Sequence, residues 1–271
     1  MNTQREQLIQ TWISSVLGSD QFEINFLAGD ASFRRYARIK LNNKTFMLMD
    51  APPEKEDCVP FVTIDEFFDT NSVRVPHIVA KDLDQGFLLL EDFGDVLLST
   101  QLDDKTVDGH YEQSFKQLIQ LQSIDGEGHF PAYSYEKLMT EMSLLTDWLL
   151  PSLQIQPSDD ESALIKRTFA ILANAALAQP QVIVHRDFHS RNLMLLVDEQ
   201  EQGVIDFQDA VIGADTYDLI SITRDAYVQW NPERVYHWFK VFYELLPASA
   251  KEGRDFEQFK QDADLMAIQR H

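Results

Sequence analysis

Apolar and polar residues alternate in two different rhythms along the first third of the chain. Residues 3–17 carry an apolar stripe at helical spacing, which Gly18 ends, and a second helix with an aromatic face is predicted from Pro60. Between and after these helices the alternation has the period of a strand. Strands are predicted over residues 33–41, 45–50, 75–80 and 86–91, the first two joined by a turn at residues 42–43.

Helical periodicity dominates after Gly94. Helices are predicted over residues 109–124, 135–149, 161–177, 216–228, 233–245 and 256–270. Short apolar strands are predicted over residues 182–185, 193–197 and 203–207. The sequence therefore predicts an α+β fold with two lobes. A small antiparallel-sheet N-terminal lobe is expected at residues 1–93, and a larger, mainly helical C-terminal lobe at residues 94–271.

The last predicted helix is still apolar where the sequence stops. Leu265, Met266 and Ile268 lie close to His271, and no capping residue separates them from it. The final carbonyl groups of a helix need partners. We therefore expect the natural protein to continue, with a frayed tail as the alternative.

The charge of the chain limits its partners. Its 271 residues carry a formal net charge of −21, and 44% of them are hydrophobic. Such an acidic surface repels phosphate backbones and anionic lipids, so neither nucleic acid nor membrane is expected as a partner. A nucleotide stays compatible, because Mg²⁺ and a few local cations can reverse the field inside a site. With Cys58 alone, an internal disulfide is impossible, and we expect a cytoplasmic monomer.

The most informative motif is His185-Arg186-Asp187, followed by Asn192 and then by Asp206-Phe207. Phosphoryl transfer needs a carboxylate that orients the attacking hydroxyl group, and oxygen ligands that hold Mg²⁺ on the nucleotide phosphates. Asp187 fits the catalytic role, and Asn192 and Asp206 supply hard oxygen ligands for the metal. Each residue alone is compatible with an ordinary surface turn. The three in this order favour a kinase site.

Residues around the motif are candidates for supporting roles. His185 is predicted to hydrogen-bond the backbone as a structural histidine, and Arg186 to pair with a carboxylate. His189 and Arg191 lie between the base and the metal ligand, where they either reach substrate or belong to a solvated loop. Asp209 either contacts substrate or supports Arg191.

Two further carboxylates, Asp215 and Asp218, lie where a helix is predicted to begin. Carboxylates in that position stabilise the helix dipole. We assign capping to Asp215, and Asp218 is a candidate to buttress the catalytic loop.

The N-terminal part contains a loop at residues 29–33 with one glycine, where a kinase binds phosphates. Ser32 and backbone N–H groups are candidates for phosphate contacts, and a simple entry into a strand is the alternative. Side chains alternate along a strand, so either Arg34 or Arg35 is expected to face the nucleotide. Kinases usually carry a phosphate-binding lysine on the next strand, and here Met49 holds that position. Either an arginine takes over its charge role or nucleotide binding is weaker.

These residues resemble the aminoglycoside phosphotransferase-like, protein-kinase-like superfamily. The catalytic loop, the Asp206-Phe207 pair without a third glycine, and the G-x-D-x-x-D-L string from Gly213 carry this resemblance, and no activation segment ending in A-P-E is visible. A narrower resemblance is to the anomeric sugar kinases of bacterial cell-wall recycling. It covers nearly the whole chain and rests on D-A-S-F-R-R from Asp30, M-D-A-P-P from Met49, F-L-L-L-E-D from Phe87 and T-R-D from Thr223. That family shares the missing strand lysine.

The resemblance implies a bilobal protein-kinase-like fold and a kinase that uses ATP and Mg²⁺. Its substrate would be an amino sugar, phosphorylated at the C1 hydroxyl of N-acetylmuramate or N-acetylglucosamine in peptidoglycan recycling. The implied nucleotide-binding residues, with adenine near residues 90–93, are Ala31, Ser32, Phe33, Arg35, Glu91 and Phe93. The implied substrate-binding residues are His189, Arg191, Asp209, Arg224 and Tyr227. The two arginines are included because a guanidinium matches the lactyl carboxylate of N-acetylmuramate. Tyr227 is included because its ring can stack on a sugar face. The nearby Trp230 can do the same, and we expect core packing for at least one of these two rings.

Two alternatives stay open. The acidic surface would also suit a kinase for a cationic acceptor, such as an aminoglycoside or an amino alcohol. Met49 and the glycine-poor loop suggest a non-catalytic nucleotide-binding pseudokinase. The presence of Asp187, Asn192 and Asp206 together argues against this second alternative.

Overall fold

The chain consists of two compact units, Met1–Asp95 and Val96–His271. The structure, a computed structural model, describes residues 3–28, 33–196 and 201–270. Each unit combines helices with antiparallel strands, and the predicted α+β class is confirmed. In the described part of the chain, no helix has the length and apolar character needed to cross a bilayer.

The Met1–Asp95 unit is a five-stranded sheet with two helices. Its strands are β1 (Glu23–Phe26), β2 (Arg35–Leu41), β3 (Lys44–Asp50), β4 (Ile78–Asp82) and β5 (Phe87–Glu91). Its helices are α1 (Thr3–Leu17) and α2 (Val59–Thr70). The strands pair antiparallel in the order β1-β2-β3-β5-β4. The predicted strands and helices of this unit are thus confirmed, apart from β1 and the start of β4.

Helix α1 packs its apolar stripe on one face of this sheet. Ile9 and Ile13 are fully buried in one cluster with Ile39 of β2 and Leu48 of β3. Gly86 makes the tight turn into β5 possible, because its φ is +69° and a Cβ there would lie 1.9 Å from the carbonyl oxygen of Ala51. The turn therefore holds β5 against the end of β3, where the Ala51 N–H donates to the Gly86 carbonyl over 2.9 Å.

The Val96–His271 unit is mainly helical. Its helices are α3 (Val107–Gln122), α4 (Tyr135–Leu144), α5 (Leu150–Ser152), α6 (Asp159–Ala178), α7 (Tyr217–Thr223), α8 (Pro232–Leu245) and α9 (Phe256–Arg270). A π-helical turn, Leu145–Leu149, links α4 to α5, and 3₁₀ turns occur at Leu98–Thr100 and Ala248–Lys251. The long helix α6 begins with a capping box in which Ser158 and Glu161 satisfy each other's backbone N–H groups.

Two small antiparallel ladders in this unit hold the motif residues. Strand β6 (Gln181–Val184) pairs with β9 (Val211–Ala214), and β7 (Leu193–Leu196) pairs with β8 (Glu201–Val204). The segment from His185 to Asn192 therefore connects β6 to β7, and Asp206 lies two residues after the end of β8. The Ile205 N–H donates to the Asn192 carbonyl over 3.0 Å, which brings the two motif segments together.

Several predicted bounds were wrong for local reasons. Strand β1 escapes prediction because it is largely exposed, and β9 because it is four residues long and contains a glycine. The strand predicted at residues 203–207 is Glu201–Val204, and the strand predicted from residue 75 begins at Ile78. The helix predicted over residues 216–228 ends at Thr223, since Arg224 leaves helical geometry with φ −118° and ψ 40°.

Candidate functional site

The catalytic loop begins with two backbone groups held by one buried carboxylate. The Oδ2 atom of Asp218 accepts from the His185 N–H over 2.7 Å, and Oδ1 accepts from the Arg186 N–H over 3.0 Å. Burial raises the pKa of Asp218 to about 7, although the two backbone donors lower it. The predicted role of Asp218 as a buttress of this loop is confirmed.

His185 is the structural histidine that the sequence predicts. It is fully buried, its Nε2 lies 3.1 Å from the Ile205 carbonyl, and its Nδ1 accepts from the Asp187 N–H over 3.3 Å. Burial lowers the pKa of His185 to about 4, so the ring is neutral near pH 7. A neutral ring with a proton on Nε2 satisfies both contacts. His185 therefore links the two motif segments and orients the peptide of Asp187.

The described residues around Asp187 leave its carboxylate accessible to the hydroxyl group of a substrate. Its side chain is 47% exposed, and among described groups its nearest ionic partner is Arg270, whose Nη2 lies 3.9 Å from Oδ1. Its backbone is engaged, because the His189 N–H donates to its carbonyl over 2.9 Å. The backbone is thus fixed while the carboxylate can accept a hydrogen bond from a substrate hydroxyl.

Asn192 and Asp206 lie side by side. The Asn192 Nδ2 donates to the Asp187 carbonyl over 3.0 Å and to Asp206 Oδ2 over 3.3 Å, and Gln208 Nε2 donates to Asp206 Oδ1 over 2.8 Å. Asp206 has a φ of 66°, a left-handed conformation that is uncommon for a residue with a side chain. Such outliers persist where surrounding contacts over-determine them, and they concentrate at functional sites.

This pair fits Mg²⁺ better than a metal with an all-protein ligand set. An exposed carboxylate and an amide oxygen are hard ligands, and Mg²⁺ is typically bound by one or two carboxylates plus substrate phosphates. Within the described ranges, no three His, Cys, Asp or Glu side chains gather into a metal-binding group. The donor set therefore suits a metal that arrives with a nucleotide.

His189, Arg191 and Tyr227 form a cluster beside the catalytic loop. The Arg191 guanidinium lies 3.7 Å from the centre of the Tyr227 ring, and the His189 ring meets that ring edge-on at 5.3 Å. A residue to which the sequence assigns no role of its own, Asp225, holds this cluster together. Asp225 is buried, and its carboxylate accepts from the Ser190 N–H over 2.9 Å and from the Tyr227 N–H over 2.8 Å.

The other predicted substrate residues are not part of this cluster. Arg224 lies 3.4 Å from Asp264 on α9 and 5.8 Å from the Phe239 ring on α8. Asp209 is exposed, and its described contacts do not include Arg191. Trp230 donates through Nε1 to the Tyr111 hydroxyl over 3.2 Å and packs in an aromatic group, which is a structural role.

Two neighbouring predictions have different outcomes. Arg186 pairs with Glu141 of α4 over 2.7 Å, as the sequence predicts. The capping role predicted for Asp215 is wrong. Asp215 is buried and accepts from Arg254 Nη1 over 2.6 Å, because it precedes the helix by two residues and points into an internal ion pair. Thr216 occupies the N-cap position and makes no side-chain capping bond.

In the Met1–Asp95 unit, the arginine expected at the nucleotide is engaged in an ion pair. Arg35 and Arg5 both donate to the fully buried Asp50, with distances of 2.9 Å from each Nε. Arg34 pairs with Glu56 over 2.7 Å. Met49 is fully buried, so no cation occupies its position on β3. Either arginine would have to share its charge between a carboxylate and a phosphate.

The remaining nucleotide candidates lie near the end of β5 or before β2. Glu91 accepts from Arg74 over 2.6 and 2.7 Å, which lowers the pKa of Glu91, and Arg74 also lies 4.6 Å from the Phe93 ring centre. Phe33 is 60% exposed. Ala31 and Ser32 lie outside the described residues.

Known structures share this fold at low sequence identity. An ethanolamine kinase from Plasmodium vivax matches with a TM-score of 0.67 and 15% identity, over 93% of this chain and 74% of the other. The ADP-bound aminoglycoside phosphotransferase APH(2'')-Ib matches with a TM-score of 0.63 and 16% identity, over 99% and 98% of the two chains. At these identities the likeness concerns the fold alone.

Sequence comparison gives the family. A relative from Pseudomonas aeruginosa, named N-acetylmuramate/N-acetylglucosamine kinase, is 40% identical over 250 residues, which cover 90% of this chain and 72% of the relative. Residues 23–255 match the sequence profile of the phosphotransferase enzyme family. Because this match includes the catalytic loop and both predicted magnesium ligands, the chain belongs to the phosphotransferase enzyme family.

Proposed function

We propose that the protein is an ATP-dependent sugar kinase that phosphorylates the C1 hydroxyl of N-acetylmuramate and N-acetylglucosamine. The observation that carries this proposal is the 40% identity, over 90% of the chain, to a relative named for both sugars. The arrangement of Asp187, Asn192 and Asp206 supports it, because these groups supply what phosphoryl transfer requires.

In this mechanism Asp187 orients the anomeric hydroxyl for in-line attack on the γ-phosphate and accepts its proton. An anomeric hydroxyl is more acidic than an ordinary alcohol, so a carboxylate is an adequate base. The fixed backbone and exposed carboxylate of Asp187 suit that role. Asn192 and Asp206 would hold Mg²⁺, which neutralises charge on the phosphates when bound.

The nucleotide would be bound through the Met1–Asp95 unit, at Ala31, Ser32, Phe33, Arg35, Glu91 and Phe93. Of these residues, Arg35 should bind phosphate least strongly for its charge, because Asp50 already neutralises part of that charge. Backbone N–H groups of residues 31–33 would then carry much of the phosphate binding.

The sugar would lie on the cluster of His189, Arg191 and Tyr227. A guanidinium that lies over a ring keeps the N–H donors in its own plane free, so Arg191 can bind the lactyl carboxylate of N-acetylmuramate in bidentate fashion. Arg224 is a second candidate for that carboxylate, although Asp264 already engages it. Asp209 is exposed and stays a candidate for contacts with sugar hydroxyls.

We further propose that the protein acts in the cytoplasm, as a monomer, in peptidoglycan recycling. A single buried thiol at Cys58 suits a reducing compartment. Amino sugars released from the cell wall are the substrates that such recycling must phosphorylate.

A kinase for a cationic acceptor is the second candidate function. The net charge of −21 favours it, because an acidic surface attracts aminoglycosides and amino alcohols. The first proposal explains Arg191 better, since a guanidinium beside the catalytic loop would repel a cationic acceptor.

An acceptor panel read by ADP release distinguishes these functions. With saturating MgATP, N-acetylmuramate and N-acetylglucosamine should turn over, while kanamycin and ethanolamine should not. The matched control is the 1-O-methyl glycoside of N-acetylglucosamine, in which only the anomeric hydroxyl is blocked. Phosphorus NMR should place the phosphate on C1. Turnover of the methyl glycoside, or of cationic acceptors alone, would overturn the proposal.

A further inference from the structure

Arg270, near the end of α9, makes three contacts with the catalytic loop and its support. Its Nη1 donates to the Arg186 carbonyl over 3.0 Å and to the Tyr217 hydroxyl over 2.8 Å. Its Nη2 lies 3.9 Å from Asp187 Oδ1. The guanidinium also lies over the Tyr217 ring at 4.9 Å, and its side chain is only 16% exposed.

The carbonyl that Arg270 binds belongs to a strained residue. Arg186 has a φ of 77°, in the left-handed region. For a residue with a side chain, this conformation costs about 1–3 kcal/mol and persists only when surrounding contacts enforce it. Asp218 holds the N–H groups of His185 and Arg186 on one side of this residue. Arg270 holds the carbonyl on the other side, at the peptide bond that leads directly to Asp187.

Packing fixes the position of Arg270 itself. Met266 and Ala267 on the preceding turn of α9 are buried, and Arg254, two residues before the helix begins, forms a buried ion pair with Asp215. Tyr217, the second acceptor for Arg270, has its hydroxyl 3.4 Å from that of Tyr133. The guanidinium is therefore delivered to the loop by a helix that cannot easily shift.

We propose that Arg270 is a positioning residue for the catalytic base. It locks the Arg186–Asp187 peptide in its left-handed geometry and restrains the Asp187 carboxylate by its charge. The proposal rests on phosphoryl transfer by this chain, not on the identity of the sugar. Arg270 also lies beyond residues 23–255, the part of the chain that matches the family profile.

The first test is the steady-state kinetics of Arg270→Ala. Misplacing a catalytic group by about 1 Å costs on the order of 100-fold in rate, so we expect kcat to fall about 10–100-fold. KM for MgATP and for the acceptor should stay within about a factor of two, because Arg270 contacts the base rather than substrate. Arg270→Lys should recover part of kcat, and added guanidinium chloride at millimolar concentration should partly rescue Arg270→Ala.

Lys260→Ala is the matched control, because Lys260 is a cation on the same helix whose Nζ lies 4.6 Å from the Tyr236 ring. Its kcat should equal that of the wild type. Rates are normalised to the folded fraction, and Tyr217→Phe serves as a milder variant should Arg270→Ala unfold. An unchanged kcat per folded molecule, a rise in KM alone, or equal losses in the Ala and Lys variants without guanidinium rescue would overturn the proposal.

This test is separable from the test of the proposed function. If the wild type uses an acceptor other than an amino sugar, the substrate proposal fails. The kcat of each Arg270 variant is then compared with that of the wild type using that acceptor, or using water as the acceptor in slow ATP hydrolysis. A normal amino-sugar kinase whose Arg270→Ala variant keeps its kcat would overturn the Arg270 inference alone.

Discussion

Arginines are used differently in the two units of the molecule. In Met1–Asp95 all five arginines pair with carboxylates: Arg5 and Arg35 with Asp50, Arg34 with Glu56, Arg38 with Asp92 and Asp95, and Arg74 with Glu91. In Val96–His271, Arg191 instead stacks on Tyr227, and none of its described contacts is with a carboxylate. A paired guanidinium is already neutralised, whereas a stacked one can still bind an anion.

The carboxylates show the same contrast. Asp50 is fully buried between two arginines, while Asp187 is 47% exposed and has one cation at 3.9 Å. A buried, paired carboxylate contributes to folding, and an exposed one on a fixed backbone contributes to chemistry. Acidic residues outnumber basic residues by 44 to 23, so an arginine without an acidic partner is unusual in this chain. The arginines of the first unit are thus held in ion pairs, whereas the guanidinium of Arg191 is held by a ring.

The largest effect is expected from substitution of Asp187, the exposed carboxylate in this comparison. Asp187→Asn should lower kcat by about 10²–10⁴-fold, because a general base contributes about that much, while the melting temperature stays close to that of the wild type. Asp50→Asn should do the reverse, with normal kcat per folded molecule and a loss of stability of about 3–5 kcal/mol, since it breaks a buried ion pair. Coupled ADP-release kinetics and thermal unfolding measure the two. An Asp187→Asn variant with the kcat of the wild type would show that Asp187 is not the catalytic base, whereas a wild type without measurable turnover would support the pseudokinase alternative.

An intermediate effect is expected at Arg191. A hydrogen bond to a charged group contributes about 1.5–3 kcal/mol, so Arg191→Ala should raise KM for N-acetylmuramate about 10–100-fold. KM for N-acetylglucosamine, which lacks the lactyl carboxylate, should change by less than about threefold. Arg191→Lys should fall between wild type and alanine. Arg167→Ala removes an exposed arginine from α6 and is the control. Equal increases in KM for both sugars would show that Arg191 does not bind the lactyl carboxylate.

The smallest effect is expected at Asp65, a carboxylic acid of the Met1–Asp95 unit for which the structure describes no arginine partner. Burial, reinforced by Asp69 and Glu66, raises the pKa of Asp65 to about 7, and its Oδ2 has no described hydrogen-bond partner. The folded state thus keeps a proton that the unfolded state releases above about pH 4. Stability should therefore fall between pH 4 and pH 7 and stay lower above pH 7.

Asp65→Asn should remove this pH dependence and stabilise the protein by about 1–3 kcal/mol at pH 8, with little gain at pH 4. Urea unfolding at several pH values measures the difference. Asp84→Asn, at an exposed site, is the control. A constant gain at every pH would mean that Asp65 titrates normally.

The sequence was sufficient for groups whose partners are close along the chain. The apolar strand before His185 and the fixed spacing of Asp187, Asn192 and Asp206 predict the loop and the residues that it presents. The residues that hold this loop were harder to find. Ser190 and Asp225 are 35 positions apart, Arg186 and Glu141 are 45 apart, and Arg186 and Arg270 are 84 apart. No local pattern records such pairings, because packing between helices creates them.

Asp215 illustrates the limit of local patterns more sharply. Its position before a predicted helix is typical of a capping residue. Its carboxylate instead accepts a hydrogen bond from Arg254, which lies 39 residues away along the chain. The same holds for β9, whose Gly213 is explained by Tyr133, since a Cβ there would lie 3.2 Å from the ring. In both places, tertiary contact overrides the preference of the local sequence.

Helices α1 and α9 lie at opposite ends of the chain and outside the family match at residues 23–255. A fragment cut to that match would keep every recognisable motif. It would also uncover the sheet face beneath Ile9 and Ile13, leave Asp50 with one arginine, and leave Asp215 without Arg254's supporting helix. Such a fragment should therefore be less stable than the whole chain, because it lacks the packing and the ion pair that these two helices supply. The residues that match the family profile and the residues that stabilise the two units are therefore not the same set.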